Sequence, residues 1–201
     1  LLKAFEEVKP NLILTVPLIL EKIYKKMILP QLSKTTMKVA LNIPLLDSRI
    51  YAQIRKKLVD AFGGRFREVI VGGAAMNEEV TNFLYKIKFP FTIGYGMTEC
   101  GPLISYDHND EYVPGSCGQI LKGIMKVRID SEDPYNKVGE IQVSGENVMK
   151  GYYKNEEATS KVFTEDGWLR TGDLGTIDAD NRIYIRGRSK TMILGASGQN
   201  I

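Results

Sequence analysis

Glu68-Val69-Ile70-Val71-Gly72-Gly73-Ala74-Ala75, then Asn77-Glu78-Glu79-Val80, then Phe91-Thr92-Ile93-Gly94-Tyr95: the order of these three pieces decides the fold. Residues 68–71 are a short apolar, β-branched run, which reads as a buried strand. Four small residues follow directly. Asn77 is placed to cap a helix over residues 78–86, because a short polar side chain can accept a first-turn amide hydrogen. Residues 91–95 return to a strand pattern. Strand, helix and strand in that order predict parallel pairing through a right-handed crossover.

Working outward, residues 11–16 (NLILTV) read as another short buried strand, stopped by Pro17. Residues 18–27 read as a helix, with Leu20, Ile23, Tyr24 and Met27 at three- and four-residue spacing. Pro30, Ser33, Pro44 and Asp47 interrupt residues 30–48, which are expected to be irregular. A helical period resumes over residues 50–62 and closes at Gly63-Gly64. From about Gly115 the texture changes to short alternating segments at residues 124–129, 140–144, 174–177 and 182–186. Turns separate them, Asp166-Gly167 and Asp178-Ala179-Asp180-Asn181 among them, as in an all-β unit built of hairpins. The fold expected is α/β: part of a parallel α/β sheet over residues 1–110, then a β-rich subdomain over 111–187.

Composition narrows the function. Of 201 residues, 43% are hydrophobic and 25% charged, as in an ordinary globular domain. A net charge of +3 without a dense Lys/Arg block speaks against nucleic acid as a partner. A weakly basic face still allows peripheral contact with an anionic membrane or a phosphorylated ligand. The two cysteines, Cys100 and Cys117, lie in no CxxC or Cys/His cluster, so a zinc site is not expected, while a disulfide is possible by count. His108, the single histidine, sits in a polar Asp-His-Asn-Asp stretch and reads as a solvated loop residue. The apolar run ending at Glu21 is broken by Pro17 and too short to span a bilayer. No secretory signal series opens the chain. A cytoplasmic protein is expected, with peripheral contact at the inner membrane face allowed.

Four motifs carry chemistry. Gly72-Gly73-Ala74-Ala75 follows a strand, where ligands bind in parallel sheets, and small residues let backbone approach a flat ligand such as a purine; a tight strand-to-helix turn explains the same residues. Gly94-Tyr95-Gly96-Met97-Thr98-Glu99 offers a ring that can stack on a base, a hydroxyl for a phosphate oxygen and a carboxylate for Mg²⁺. Asp166-Gly167-Trp168-Leu169-Arg170-Thr171-Gly172-Asp173-Leu174-Gly175 supplies a carboxylate able to accept from two vicinal hydroxyls, or one that satisfies its own turn. Ile183-Tyr184-Ile185-Arg186-Gly187-Arg188-Ser189-Lys190 ends the last strand in basic residues.

The second motif, extended through Cys100-Gly101-Pro102-Leu103, resembles the adenylate-forming superfamily of acyl-CoA synthetases, peptide-synthetase adenylation domains and luciferases. It looks most like the bacterial long-chain fatty-acid–CoA ligases. The likeness covers nearly the whole chain. It is strong from Glu68 onward and weak across residues 28–62. It implies that Thr98 positions phosphate, that Glu99 binds Mg²⁺, and that Tyr95 with Gly73-Ala74 sandwiches adenine, Gly96 lying in the same nucleotide loop. It implies that Asp173 and Arg188 hold the ribose hydroxyls. Lys190 would be the hinge of a small C-terminal domain beginning within residues 188–201, and the β-rich part a distorted barrel. Val138–Gly145 and Met149-Lys150-Gly151-Tyr152-Tyr153 match the β-subdomain signature and read as scaffold.

The activity implied is ligation of a fatty acid to coenzyme A with ATP and Mg²⁺, by way of an acyl-adenylate. The family's phosphate loop would precede Leu1 and its catalytic lysine would follow Ile201. Both ends therefore look cut from something longer, and the chain is expected to be inactive alone. Two alternatives stand beside this one. An amino-acid-activating domain is disfavoured by Cys100-Gly101-Pro102-Leu103; a non-catalytic nucleotide-binding module is the other.

Overall fold

The computed structural model describes residues 2–44 and 46–189, and the Lys190 hinge expectation lies outside them. The chain divides into two compact units, one ending at Phe91 and the other beginning at Thr92.

The first unit runs α1 (Leu2–Val8), β1 (Leu12–Thr15), α2 (Pro17–Ile23), α3 (Leu29–Leu32), α4 (Thr35–Ala40), α5 (Leu46–Ala61), β2 (Glu68–Val71), α6 (Glu78–Lys86) and the start of β3 (Phe91–Ile93). β1 is parallel to β2, with Leu12 opposite Glu68 and Thr15 opposite Val71, and the sheet order is β1-β2-β3. Pro17 ends the strand and opens α2, where its missing N–H is one the first turn would leave unpaired anyway. Asn77 caps α6 as expected, its side chain accepting from the Val80 amide at 3.2 Å. Gly63 and Gly64 end α5 with φ of 94° and 72°, and a Cβ on Gly63 would meet the Phe5 carbonyl oxygen at 2.4 Å. Phe62, Phe66 and Phe89 pack as tilted rings 5.7–5.9 Å apart at the centre of this unit.

Two expectations are corrected here. Residues 30–48 are largely helical, because their breakers stand at helix ends: Pro30 lies in the first turn of α3, Ser33 caps its end, and Asp47 lies in the first turn of α5. The helix expected over 18–27 changes form at Tyr24, where a π-helical turn spans Tyr24–Ile28. Pro30, which crowds the carbonyl four residues back, follows that widened turn.

The second unit holds a two-stranded pair and a four-stranded sheet. β4 (Tyr95–Gly96) pairs antiparallel with β5 (Leu103–Ser105). β6 (Met125–Asp130), β7 (Gly139–Gly145), β8 (Leu169–Ile177) and β9 (Ile183–Arg188) form an antiparallel meander in sequence order. α7 (Glu156–Val162) lies between β7 and β8, capped by Asn155. β8 begins five residues before the strand read at 174–177, so the Asp173 motif lies within a strand rather than before one. Tyr95, Cys100 and Ile104 bury in the same core as Ile141, Val143, Leu169 and Ile183. That shared core explains why the compact division falls at Phe91/Thr92, ahead of the change of texture near residue 115. Truncating a fully buried member such as Leu169 to alanine should cost about 2–5 kcal/mol. Among the described residues no helix is long and apolar enough to cross a membrane.

Candidate active site

β8 and β9 set the centre of the site. Their register puts Asp173 opposite Arg188, and the Arg188 Nε forms an ion pair with Asp173 Oδ1 across the strands at 3.0 Å. The other carboxylate oxygen, Oδ2, accepts from the Tyr95 hydroxyl at 2.7 Å. Thr171 steadies the backbone below: its hydroxyl donates to the Ile141 carbonyl at 2.7 Å and accepts the Asp173 amide at 3.1 Å. Asp173 is buried, 6% exposed, so both its oxygens need partners and both have them. Burial, then the negative charge of Asp173, pushes the Tyr95 phenol well above its ordinary range, which keeps it a neutral donor. Three residues singled out in the sequence, Tyr95, Asp173 and Arg188, thus meet in one polar cluster, joined by a hydrogen bond and an ion pair. Tyr95 itself is buried, and its polar end serves Asp173, a part the sequence reading did not give it.

Gly96 has a packing reason of its own. A Cβ there would sit 2.0 Å from the Pro102 carbonyl oxygen, which instead accepts the Met97 amide at 2.8 Å. Only glycine lets β4 and the returning strand close so tightly. The loop then turns through a short 3-10 helix, Thr98–Cys100, and reverses at Gly101 with φ of 65°. Cys100 buries in the core beside Tyr95, leaving Thr98 exposed on the outer side of the turn. The Thr98 hydroxyl makes no hydrogen bond among the described residues. Glu99 accepts from the Tyr152 hydroxyl at 2.8 Å through Oε1, and its Oε2 makes none among the described residues. A divalent cation held by one carboxylate oxygen plus phosphate oxygens fits that arrangement. Among the described residues no cluster of three or more His, Cys, Asp or Glu could hold a metal alone.

Gly73 and Ala74 follow β2 in the first unit; Gly73 has φ of 85° and is exposed. Cys100 and Cys117 are both free thiols, and burial pushes each up to about 11. His108 is exposed as expected, its Nδ1 3.0 Å from the Tyr106 hydroxyl. Sequence reasoning missed Thr171, Tyr152 and the part-buried pair of Arg182 Nε with Asp107 Oδ2 at 3.1 Å, which ties the chain after β5 to the start of β9. No local signal marks them; Tyr152 and Glu99 are 53 residues apart in sequence.

The chain also resembles known proteins and solved structures. The family profile described as "AMP-binding enzyme" matches residues 1–153. Long-chain-fatty-acid–CoA ligase 1 of Saccharomyces cerevisiae is 29% identical over 213 aligned positions, covering 98% of this chain and 30% of the yeast protein. 4-Coumarate–CoA ligase 1 of Narcissus pseudonarcissus is 36% identical over 163 positions, covering 75% of this chain and 30% of its own length. The crystal structure of ATP-bound MatB from Rhodopseudomonas palustris superposes with a TM-score of 0.67 at 26% identity, covering 100% of this chain and 34% of that one. This chain thus spans about a third of the length of the proteins it matches.

Proposed function

We propose, from the premise that the chain belongs to the AMP-binding enzyme family, that it carries the ribose- and phosphate-holding part of an ATP-dependent acid–CoA ligase. In that reading a carboxylate attacks the α-phosphate of ATP, pyrophosphate leaves, and the acyl-adenylate then passes its acyl group to the thiol of coenzyme A with release of AMP. No protein nucleophile is required; the work is positioning and charge neutralisation. Asp173 and Arg188 take the ribose hydroxyls, Thr98 a phosphate oxygen, and Glu99 a Mg²⁺ ion. When bound, that ion would neutralise phosphate charge.

The observation that carries the reading is the Tyr95–Asp173–Arg188 cluster. It is a buried carboxylate held by a phenol donor and a guanidinium cation that come from separate strands. The unengaged Thr98 hydroxyl and the second oxygen of Glu99 supply the remaining polar groups. The acid is proposed to be a long-chain fatty acid, because the yeast fatty-acid ligase aligns over 98% of the chain. A phenylpropenoic acid is the second reading, favoured by the higher 36% identity to the 4-coumarate ligase over a shorter stretch.

The test is ATP–pyrophosphate exchange by the full-length gene product, supplied in turn with palmitate, 4-coumarate and a set of amino acids. Exchange driven by palmitate is the expected result. Exchange driven by 4-coumarate would move the substrate to the second reading, exchange driven by an amino acid would move it to the amino-acid-activating class, and nucleotide binding without any exchange would support a non-catalytic module.

A further inference from the structure

Met149–Tyr153 reads in sequence as scaffold, yet in the structure the stretch from Asn147 to Tyr152 holds the second half of the Thr98–Cys100 turn, at Glu99 and Cys100. Asn147 Nδ2 donates to the Cys100 carbonyl at 2.6 Å and to the Leu103 carbonyl at 2.9 Å, bridging the two sides of the reversal at Gly101. The Met149 amide donates to the Glu99 carbonyl at 2.7 Å. The Tyr152 hydroxyl donates to Glu99 Oε1 at 2.8 Å. Tyr152 is anchored in turn, its amide donating at 2.9 Å to Thr159 Oγ1 on α7, and that hydroxyl donating to the Asn155 carbonyl at 2.8 Å.

A glutamate on a short exposed turn would ordinarily sample many rotamers. Ordering it at the moment of binding would subtract from affinity. Here the backbone of the residue is held by one bond and its carboxylate by another, both from the same stretch.

We propose that Tyr152 is a positioning residue for Glu99: the phenol fixes Oε1 and leaves Oε2 as the ligand oxygen for a phosphate-bound divalent cation. The proposal rests on the reading above, in which Glu99 is the metal carboxylate. The contact is made within the second unit by residues that sequence matching had assigned to framework.

The test compares two ligands on the full-length gene product by titration calorimetry: ATP with saturating Mg²⁺, and AMP without metal. Tyr152→Phe keeps the ring and removes only the donor. It should weaken Mg²⁺–ATP binding by about threefold to tenfold, the net worth of one ordinary hydrogen bond acting through Glu99, and leave AMP within about twofold. In a Glu99→Gln background the same substitution should have no further effect on Mg²⁺–ATP, because the group it positions no longer recruits the ion. Equal loss for both ligands would mark Tyr152 as merely structural and overturn the proposal. So would an unchanged Mg²⁺–ATP affinity, or full additivity with Glu99→Gln. A wild-type protein that bound neither nucleotide would overturn both the proposal and the nucleotide-site reading. The variant outcomes strike the Tyr152 assignment alone.

Discussion

Two arginine–carboxylate pairs in the second unit have similar chemistry and opposite surroundings. Arg128 makes two bonds to Asp166, at 2.5 and 2.9 Å, and its guanidinium lies 4.6 Å over the Trp168 ring. Arg188 makes a single 3.0 Å contact to Asp173. By geometry the first pair is the stronger. But its side chains are 38% and 57% exposed, whereas those of Arg188 and Asp173 are 33% and 8% exposed. Water competes for every bond of the first pair and for few of the second. The buried carboxylate therefore depends on its partners, and its direction is fixed by them. The exposed one is free to exchange its partner for solvent. The lesson is that a site carboxylate is marked by burial with fully paired oxygens, not by the number of its contacts.

Removing the buried member should give the largest effect. Asp173→Ala leaves the Arg188 cation and the Tyr95 hydroxyl without their partner. Stability should fall by about 2–3 kcal/mol in urea unfolding, since hydrogen bonds to charged groups are involved. Affinity for ATP should fall by about tenfold or more in calorimetry on the full-length product, the equivalent of about 1.4 kcal/mol or greater. Unchanged affinity would place the ribose elsewhere and break the comparison at its functional end.

Tyr95→Phe separates the ring from its hydroxyl. The ring stays in the core, and Asp173 Oδ2 loses one donor. The expected cost is about 1 kcal/mol of stability and a several-fold loss in ATP affinity, smaller than for Asp173→Ala because the Arg188 contact survives. An effect as large as that of Asp173→Ala would mean that the phenol, not the guanidinium, fixes the carboxylate.

The thiols test how dry this unit is. Cys100 and Cys117 are each pushed up to about 11 by burial. A folded thiol that holds its proton more tightly than the unfolded chain, where the value is about 8.5, contributes stability that is fully present below that pH. The contribution is lost as pH rises through about 11. Melting temperature should therefore decline between about pH 8.5 and 11, and Cys117→Ala should make the decline shallower. Both thiols should also resist alkylation at pH 8 in the native protein and react readily in denaturant.

Much of this was legible because it is local. The β2-to-α6 passage announces itself through Val69–Val71, the small residues after it and the Asn77 cap, all within a few residues of one another. The motif positions Tyr95, Asp173 and Arg188 were legible through resemblance. What no pattern could supply is which atoms meet: Tyr95 and Asp173 are 78 residues apart and join only through the closing of two separate strand pairs. The helices α3 and α4 were hidden because Pro30 and Ser33 break helices when interior and start or end them when terminal, and sequence alone did not say which. Tyr152 was hidden for a third reason. A tyrosine in a framework motif looks the same whether it packs or donates, and its acceptor lies on another loop.

The smallest effect sharpens the comparison from the exposed side. The hydrogen bonds from Arg128, and then from Thr164, hold the Asp166 carboxyl well below the usual carboxylate range. A depressed folded value contributes stability that is present above the unfolded value near pH 4 and is lost as pH falls below it. Taken alone, that would predict a clear penalty for Asp166→Asn at neutral pH. Solvent exposure argues the other way, because a screened pair returns most of its energy to water. Asp166→Asn should therefore leave the melting temperature at pH 7 nearly unchanged and leave ATP affinity unchanged. Any difference from wild type should appear only in low salt, as a slight wild-type advantage above about pH 4 that fades as pH falls below it, and should vanish in about 1 M salt. A large, salt-resistant loss at pH 7 would show that contact geometry outweighs burial here, and the distinction between the two pairs would collapse.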